Sequence, residues 1–463
     1  MPPHPIQATW DADLTAGDPL EWRGYTPPDE EAVVTGRTQH YAFVEGRFDV
    51  LGGSMGAAHG EKVVRAYRRA VDERLPIVVL SASGGARMQE GMVALIQMAR
   101  TAAAARDHAA RGLMSVAIHR GPVTGGVLAS YASLVDIAAA RPGAIIGFAG
   151  PRVVELTTGA RLPENSHTAE SAYQHGLIDA LVPAEDEGAW IDVVLGINGS
   201  VALLSPAVAN VQPDGGPRGK GAEVDGTKVE RAWREVQRAR SRRRFTGIQW
   251  ADLLCAPWTE LRGTDPTLHT AVATFAGSRV VVIAADRHAR DGRHRPAGYR
   301  LAQRAIALAG RLNLPLLTFV DTPGADPGAA SEADGLAREI AGTFAAMDAL
   351  STPSVGVCVG EGGSGGALAL AYTDRLIMLE HAVFSVIAPE GAAAILERDV
   401  SKAPELAARL RLTSADLLDL GIIDDVVTED TASLHAALVA ALDGANPGDR
   451  RQRFDRATSR WLR

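Results

Sequence analysis

Short apolar runs alternate along this chain with longer segments whose apolar residues recur every three or four positions. IVVLSAS follows Pro76, MSVAIHR follows Leu113 and GAIIGFAG follows Pro142; further on stand LLTFVDT, SVGVCVGEGG and HAVFSVIAPEG. Runs of this length, bounded by Gly and Pro, read as strands buried on both faces, as in a parallel sheet. Between them, QEGMVALIQMARTAAAARDHAA and EADGLAREIAGTFAAMDAL have helical spacing. The alternation predicts an α/β architecture with functional turns at the carboxyl ends of strands.

The pattern occurs twice. Gly84 and Gly324 are 240 positions apart, as are Gly125 and Gly365, and Gly176 and Gly421 are 245 apart. One structural unit has been used twice. Residues 205–228 between the copies are rich in Gly and Pro and have no apolar period, so they read as a linker. The expected domains are 1–210 and 229–463, joined by a linker at 211–228.

Composition narrows the class. The chain has 463 residues, 46% apolar and 22% charged, which fits two soluble globular domains. A net charge of −8 argues against a general nucleic-acid binder. The basic run RARSRRRF (238–245) is a solvated helix face or a site for an anion. Cys255 and Cys358 are the only cysteines, which excludes a disulfide framework and a four-cysteine zinc ribbon, so no metal is expected. MPPHPIQATWDADL has no basic-then-apolar signal pattern and no 18-residue apolar run follows, so a cytoplasmic location without a membrane is expected.

The stretch VGVCVGEGGSGGALALAYTDRLIMLE (355–380) opens three chemical readings. Gly360, Gly362 and Gly365 fit G-x-G-x-x-G, with Glu380 as the acid of a dinucleotide site. Gly362, Ser364 and Gly366 fit the G-x-S-x-G nucleophile elbow, with Asp374 and His381 or His435 to complete a triad. Alternatively, Gly365 and Gly366 form a bare backbone donor pair. The counterpart of residues 360–366 is RGPVTGG (120–126), which has neither motif. What recurs is a glycine pair at a strand end just before a helix. That favours donors over packing alone: first-turn N–H groups have no intrahelical partner, and glycine lets an oxyanion come close. Two such pairs suggest two carbonyl-bearing reactants facing each other.

These residues carry a family resemblance. LGGSMGAAHGEKVVRAYRRA, ERLPIVVLSASGGARMQEGM, GPVTGGVLASYASLVDIAAARPGAIIGFAGPRVVE and HGLIDALV resemble the β subunit of bacterial acetyl-CoA carboxylase carboxyltransferase. RAWREVQRAR, RPAGYRLAQRAIALAGRLNLPLLTFVDTPGADPG, GEGGSGGALALAYTDRLIMLE, FSVIAPEGAAAIL, SKAPELA and LGIIDDVV resemble its α subunit. The resemblance covers roughly 30–430 in β-then-α order, like a fusion of the two. It implies two tandem ClpP/crotonase-like β/α superhelical domains. It further implies carboxyl transfer from carboxybiotin, borne on a carrier protein, to an acyl-CoA thioester, giving malonyl-CoA for fatty acid synthesis.

By the same resemblance, Gly125 and Gly126 bind the thioester carbonyl, and Gly366 and Ala367 the ureido oxygen of biotin. Ser83, Gly84, Gly85, Ala86 and Arg87, with Phe148 and Gly150, form the CoA side. Gly324, Pro327, Gly328 and Gly365 form the biotin side. The implied partners are biotin carboxyl carrier protein and biotin carboxylase. The family site lies between the β-like half of one protomer and the α-like half of another, which implies a homodimer or higher oligomer.

The sequence departs from the family in lacking the ribbon cysteines and in a short ADRHARDGRH segment before RPAGY. Both bear on the site entrance and leave a second reading, a biotin-independent malonyl-thioester decarboxylase. Arg87 and Lys402 are candidates for CoA phosphates or for surface pairs. Glu90 and Glu390 fit capping roles better than general-base roles. His119 and His175 read as structural, and Trp233 as core or interface.

Overall fold

Each apolar run becomes a strand, and each half of the chain builds one eight-stranded sheet. The structure is a computed structural model describing residues 1–151, 154–155, 161–163, 166–197 and 226–463. The expected linker lies outside the described residues up to 225, and a helix already runs from Gly226 to Ala239.

In the first half the strands are β1 (Ala8–Trp10), β2 (Val33–Arg37), β3 (Ala42–Gly46), β4 (Ile77–Ser83), β5 (Ser115–Thr124), β6 (Ile137–Ala140), β7 (Ile146–Gly147) and β8 (Ala180–Leu181). Their order is β1-β2-β3-β4-β5-β6-β8, with β7 paired to the far end of β5. The second half has β9 (Trp258–Leu261), β10 (Leu268–Phe275), β11 (Ser278–Ala285), β12 (Leu316–Thr322), β13 (Ser354–Gly363), β14 (Arg375–Leu379), β15 (Val383–Ser385) and β16 (Asp425–Val427). Its order, β9-β10-β11-β12-β13-β14-β16 with β15 on β13, repeats the first strand for strand. In both sheets an antiparallel meander leads into parallel strands. This is the expected pair of tandem α/β domains.

The register of the repeat differs from the glycine spacing. Ile77 pairs with Ser115 and Leu316 with Ser354, so equivalent strand positions are 239 apart. The bulges agree: Ser83 pairs with Val123 and Thr322 with Gly362. Gly324 is therefore the equivalent of Gly85, not Gly84; the two have φ of +103° and +125°. Gly125 is equivalent to Ser364, and both have φ +57°.

Helices cover the sheets: α1 (Ala57–Asp72), α2 (Gln97–Ala109), α3 (Gly125–Leu128), α4 (Pro296–Leu312), α5 (Leu336–Ala349) and α6 (Ser364–Ala371). The two long helical segments expected from periodicity are each interrupted by a glycine at positive φ, Gly91 (+52°) and Gly335 (+81°). Glycine takes that conformation without a Cβ clash and ends the turn before it.

The two halves pack on each other within the chain. One continuous apolar core includes residues of both. The C-terminal helix Asp449–Ser459 clamps them: Arg451 bonds Asp107 at 2.7 Å and Asp348 at 2.5 Å, and Asp455 bonds Arg100 at 2.7 Å. No described helix is long and apolar enough to cross a membrane.

Candidate active site

The carboxyl ends of β4 and β5 face those of β12 and β13 across a cleft of about 410 Å³. Gly84, Gly85, Ala86, Gly125, Gly126, Phe148 and Gly150 line it from the first half; Gly324, Ala325, Pro327 and Ser364 line it from the second. Both halves of one chain supply residues to this cleft.

Backbone geometry fixes the glycines. Gly85 takes φ +103°, and its N–H donates to the Ser83 hydroxyl at 3.1 Å. Gly324 repeats this with Thr322 at 3.0 Å. The buried Ser83 hydroxyl donates in turn to the Gly53 carbonyl at 2.7 Å, so Ser83 shapes the loop from behind. The loops bring Ala86 and Ala325 against the first turns of α3 and α6. A Cβ added at Gly126 would lie 3.4 Å from the Ala86 nitrogen, and one at Gly366 would lie 2.8 Å from the Ala325 nitrogen. Among the described residues the N–H groups of Ala86 and Ala325 have no backbone acceptor. Those of Gly126 and Gly366 lie in first turns, where no intrahelical acceptor exists. Each half thus offers two neighbouring backbone donors, one from the loop and one from the helix.

This moves two expected donors. The Gly125 N–H is taken by the Phe148 carbonyl at 2.9 Å. The N-cap carbonyl of Gly363 accepts the first intrahelical bond of α6, from Ala367, which is fully buried. The open donors are Ala86 with Gly126, and Ala325 with Gly366. Gly365 and Gly366 are buried next to the cleft-lining Ser364, and Gly328 caps the short helix Ala329–Ala333.

Met98 joins the two donor sites. Its side chain comes from α2; a Cβ at Gly126 would meet its Cγ at 3.2 Å, and a Cβ at Gly365 its Cε at 2.6 Å. Nothing in the sequence singles out this methionine, because the contact crosses between the halves.

Arg87 is corrected. Its side chain is fully buried and bonds Glu31, Glu90 at 2.8 Å and the Ser54 carbonyl at 2.8 Å. It braces the loop it belongs to and does not face the cleft. Glu90 Oε2 accepts the first N–H of α1, that of Ala57, at 2.6 Å, the expected capping role. Lys402 pairs with Glu405 on the surface. His119 is buried against Ser81 at 2.7 Å, His175 is exposed, and Trp233 packs on the core. Neither reading of the basic run covers Arg240 and Arg244. Arg240 binds Glu361 at 2.8 Å and Glu390 at 2.6 Å, and Arg244 binds Glu429 at 2.8 Å.

The two motif readings of residues 360–366 lose their geometry. Gly360 and Gly362 lie inside β13, where a Cβ would strike Asp321 at 2.3 Å and the Phe384 ring at 2.2 Å. They permit packing and do not form a phosphate turn. Ser364 does sit on a strained strand-to-helix turn, but its proposed partners are elsewhere. Asp374 is bound to Arg450 at 2.8 Å, His381 to Glu235 at 2.9 Å, and His435 lies against Phe275.

Behind the second donor site, burial pushes the Asp321 carboxyl up to about 7. Arg287 opposes the shift, but its guanidinium is 4.0 Å from Asp321 and 2.6 Å from Glu361. The raised value means that the fold disfavours the charged form. This group therefore contributes most to stability below its ordinary 3.8, and the contribution is lost as pH rises toward 7. Asp321→Asn stays neutral throughout. Its stability relative to the parent is expected to rise by about 2 kcal/mol between pH 5 and pH 8. Urea unfolding at both pH values reads this, and a pH-independent difference refutes it. Among the described residues no His/Cys/Asp/Glu cluster could hold a metal.

Comparison with known proteins follows the same division of the chain. Residues 33–193 match a family described as carboxyl transferase domain, and residues 227–445 one described as acetyl co-enzyme A carboxylase carboxyltransferase-like. A Salinispora arenicola protein named acetyl-coenzyme A carboxylase carboxyl transferase subunits beta/alpha is 42% identical over 87% of this chain and 73% of its own length. A protein of the same name from Clostridium tetani is 36% identical over 91% of this chain and 76% of its own. A Mycobacterium bovis protein, named a probable biotin-dependent acyl-coenzyme A carboxylase beta3 subunit, is 38% identical over 90% of this chain and 84% of its own. Among solved structures, transcarboxylase 12S with methylmalonyl-coenzyme A bound aligns over 93% of this chain and 86% of its own, at 21% identity and a TM-score of 0.41.

Proposed function

We propose a mechanism from one premise: the chain belongs to the acetyl-CoA carboxylase carboxyltransferase family and is an acyl-CoA carboxyl transferase. Within that class, carboxybiotin on a carrier protein serves as the second substrate and supplies the carboxyl group. Acetyl-CoA is the acceptor and malonyl-CoA the product.

The observation that carries this reading is the pairing of two donor sites over one cleft. The N–H groups of Ala86 and Gly126 hold the thioester carbonyl, whose oxygen becomes an enolate when the α-proton passes to the substrate biotin that has released its carboxyl group as CO2. Those of Ala325 and Gly366 hold the second carbonyl oxygen, on the side where the carboxyl group arrives. Backbone donors fixed in place before reaction stabilise charge that develops only in the transition state, so they raise the rate rather than ground-state affinity. The mostly apolar wall, with Met98, Phe148 and Pro327, keeps water from competing for those donors.

Fitting residues for biotin are therefore the Gly324–Ala325 loop, Pro327 and the first turn of α6. The carrier and a biotin carboxylase are the partners in this reading. A homo-oligomer in the cytoplasm is the proposed assembly.

One experiment separates transfer from decarboxylation. The protein is incubated with malonyl-CoA, with and without free biotin, and malonyl-CoA is followed by chromatography. Loss that requires biotin is expected. Equal loss without biotin overturns the transferase in favour of the biotin-independent decarboxylase, which would use only the Ala86–Gly126 side.

A further inference from the structure

We propose that Glu332 is a positioning residue: from the second half of the chain, its carboxylate fixes the thioester-side donors of the first half through the peptide of Phe148. The connection is continuous. Glu332 Oε2 accepts the Phe148 N–H at 2.8 Å and Oε1 the Ala149 N–H at 3.0 Å. The Phe148 carbonyl accepts the N–H of Gly125 at 2.9 Å. Gly125 is the left-handed residue that opens α3, and its neighbour Gly126 carries the open donor.

Glu332 is not placed as an ordinary ion-pair partner. Its residue is 9% exposed, and no described Arg or Lys bonds its carboxylate. The nearest cationic candidate is His167, whose Nε2 is 3.7 Å away and has no hydrogen-bond partner among the described residues. Burial pushes this carboxyl up to about 7 against the two N–H bonds that favour its charge, so the charged form is costly to hold for packing alone. It lies at a seam where Phe148, Ala149 and Gly150 all line the cleft. Phe148 follows β7, whose two residues give the loop little support of its own. Carboxylate, peptide and Gly125 N–H point in one series, so each bond polarises the next and holds α3 in register with Ala86.

This inference rests on the assignment of Ala86 and Gly126 to the thioester carbonyl. The test compares Glu332→Ala and Glu332→Gln in the intact chain, with malonyl-CoA and free biotin as substrates. Glu332→Ala is expected to lower kcat about 100-fold while KM for malonyl-CoA changes less than about threefold. Glu332→Gln keeps the volume and one carbonyl acceptor but sets an amide N–H against one of the two backbone donors, and is expected to leave kcat about three- to tenfold below the parent. A purely structural role predicts a lower melting temperature in both with kcat unchanged. If the alanine variant does not fold, the glutamine variant decides: a kcat within twofold of the parent overturns the proposal. Gly126→Val is assayed beside them. Its inactivity with fully active Glu332 variants overturns only the role of Glu332; full activity of all three overturns the donor assignment as well.

Discussion

Gly126→Val and Gly366→Val are each expected to reduce turnover by about 1000-fold or more, with the chain still folded. The expectation follows from what a side chain would occupy. At Gly126 a Cβ lies 3.2 Å from Met98 Cγ, 3.4 Å from Ala86 Cβ and 3.4 Å from the Ala86 nitrogen. The methyl groups of valine extend further into the space where an oxyanion must meet the Ala86 and Gly126 N–H groups. Loss of one such donor alone typically removes about 100- to 1000-fold in kcat, and blocking the pair removes more. At Gly366 the Cβ lies 2.5 Å from Tyr299 Oη and 2.8 Å from the Ala325 nitrogen, so the donor loop itself must move. Gly366→Ala serves as the milder probe, and circular dichroism with size-exclusion chromatography establishes folding. Parent-like kcat in both folded valine variants would falsify the two-site account.

The second large effect is on stability. Arg87→Met is expected to destabilise the first half by about 3–5 kcal/mol, because it leaves Glu31 and Glu90 buried without their cation. The ordinary consequence of Arg burial would be a lowered pKa, yet the pull of Glu31 and Glu90 holds this guanidinium charged. The same guanidinium reaches the Ser54 carbonyl at 2.8 Å and the Tyr25 hydroxyl at 3.3 Å, tying three separated segments to the loop that carries Ala86. Urea unfolding near pH 7.5 measures the change. The triple variant with Glu31→Gln and Glu90→Gln should recover part of the loss, since the stranded charges are gone. A shift below about 1 kcal/mol in Arg87→Met would refute the assignment of Arg87 as a structural cation.

Some of what the structure corrected had a signal in the sequence. Pro76 and Pro315, which precede β4 and β12, are 239 positions apart, and this is the true strand register. The glycine pairs, 240 apart, are offset by one residue from it. The extra residue puts Ser364 at the left-handed position that Gly125 fills in the first half. A serine there carries strain of roughly 1–2 kcal/mol, which the surrounding turn must offset.

Local chemistry made the doubled α/β unit, its strand ends and its glycine turns legible in the sequence alone. Apolar runs and helical periods are properties of neighbouring residues, and a turn at positive φ leaves glycine in the chain whatever packs around it. Tertiary structure alone decided which N–H groups stay open, because that depends on acceptors such as Phe148, far from Gly125 in sequence. It also placed Met98 between the donor sites, buried Arg87 away from the cleft, and carried Glu332 from one half to the loop of the other. These are contacts between residues up to a few hundred positions apart, and they exist only once both sheets have packed into one core.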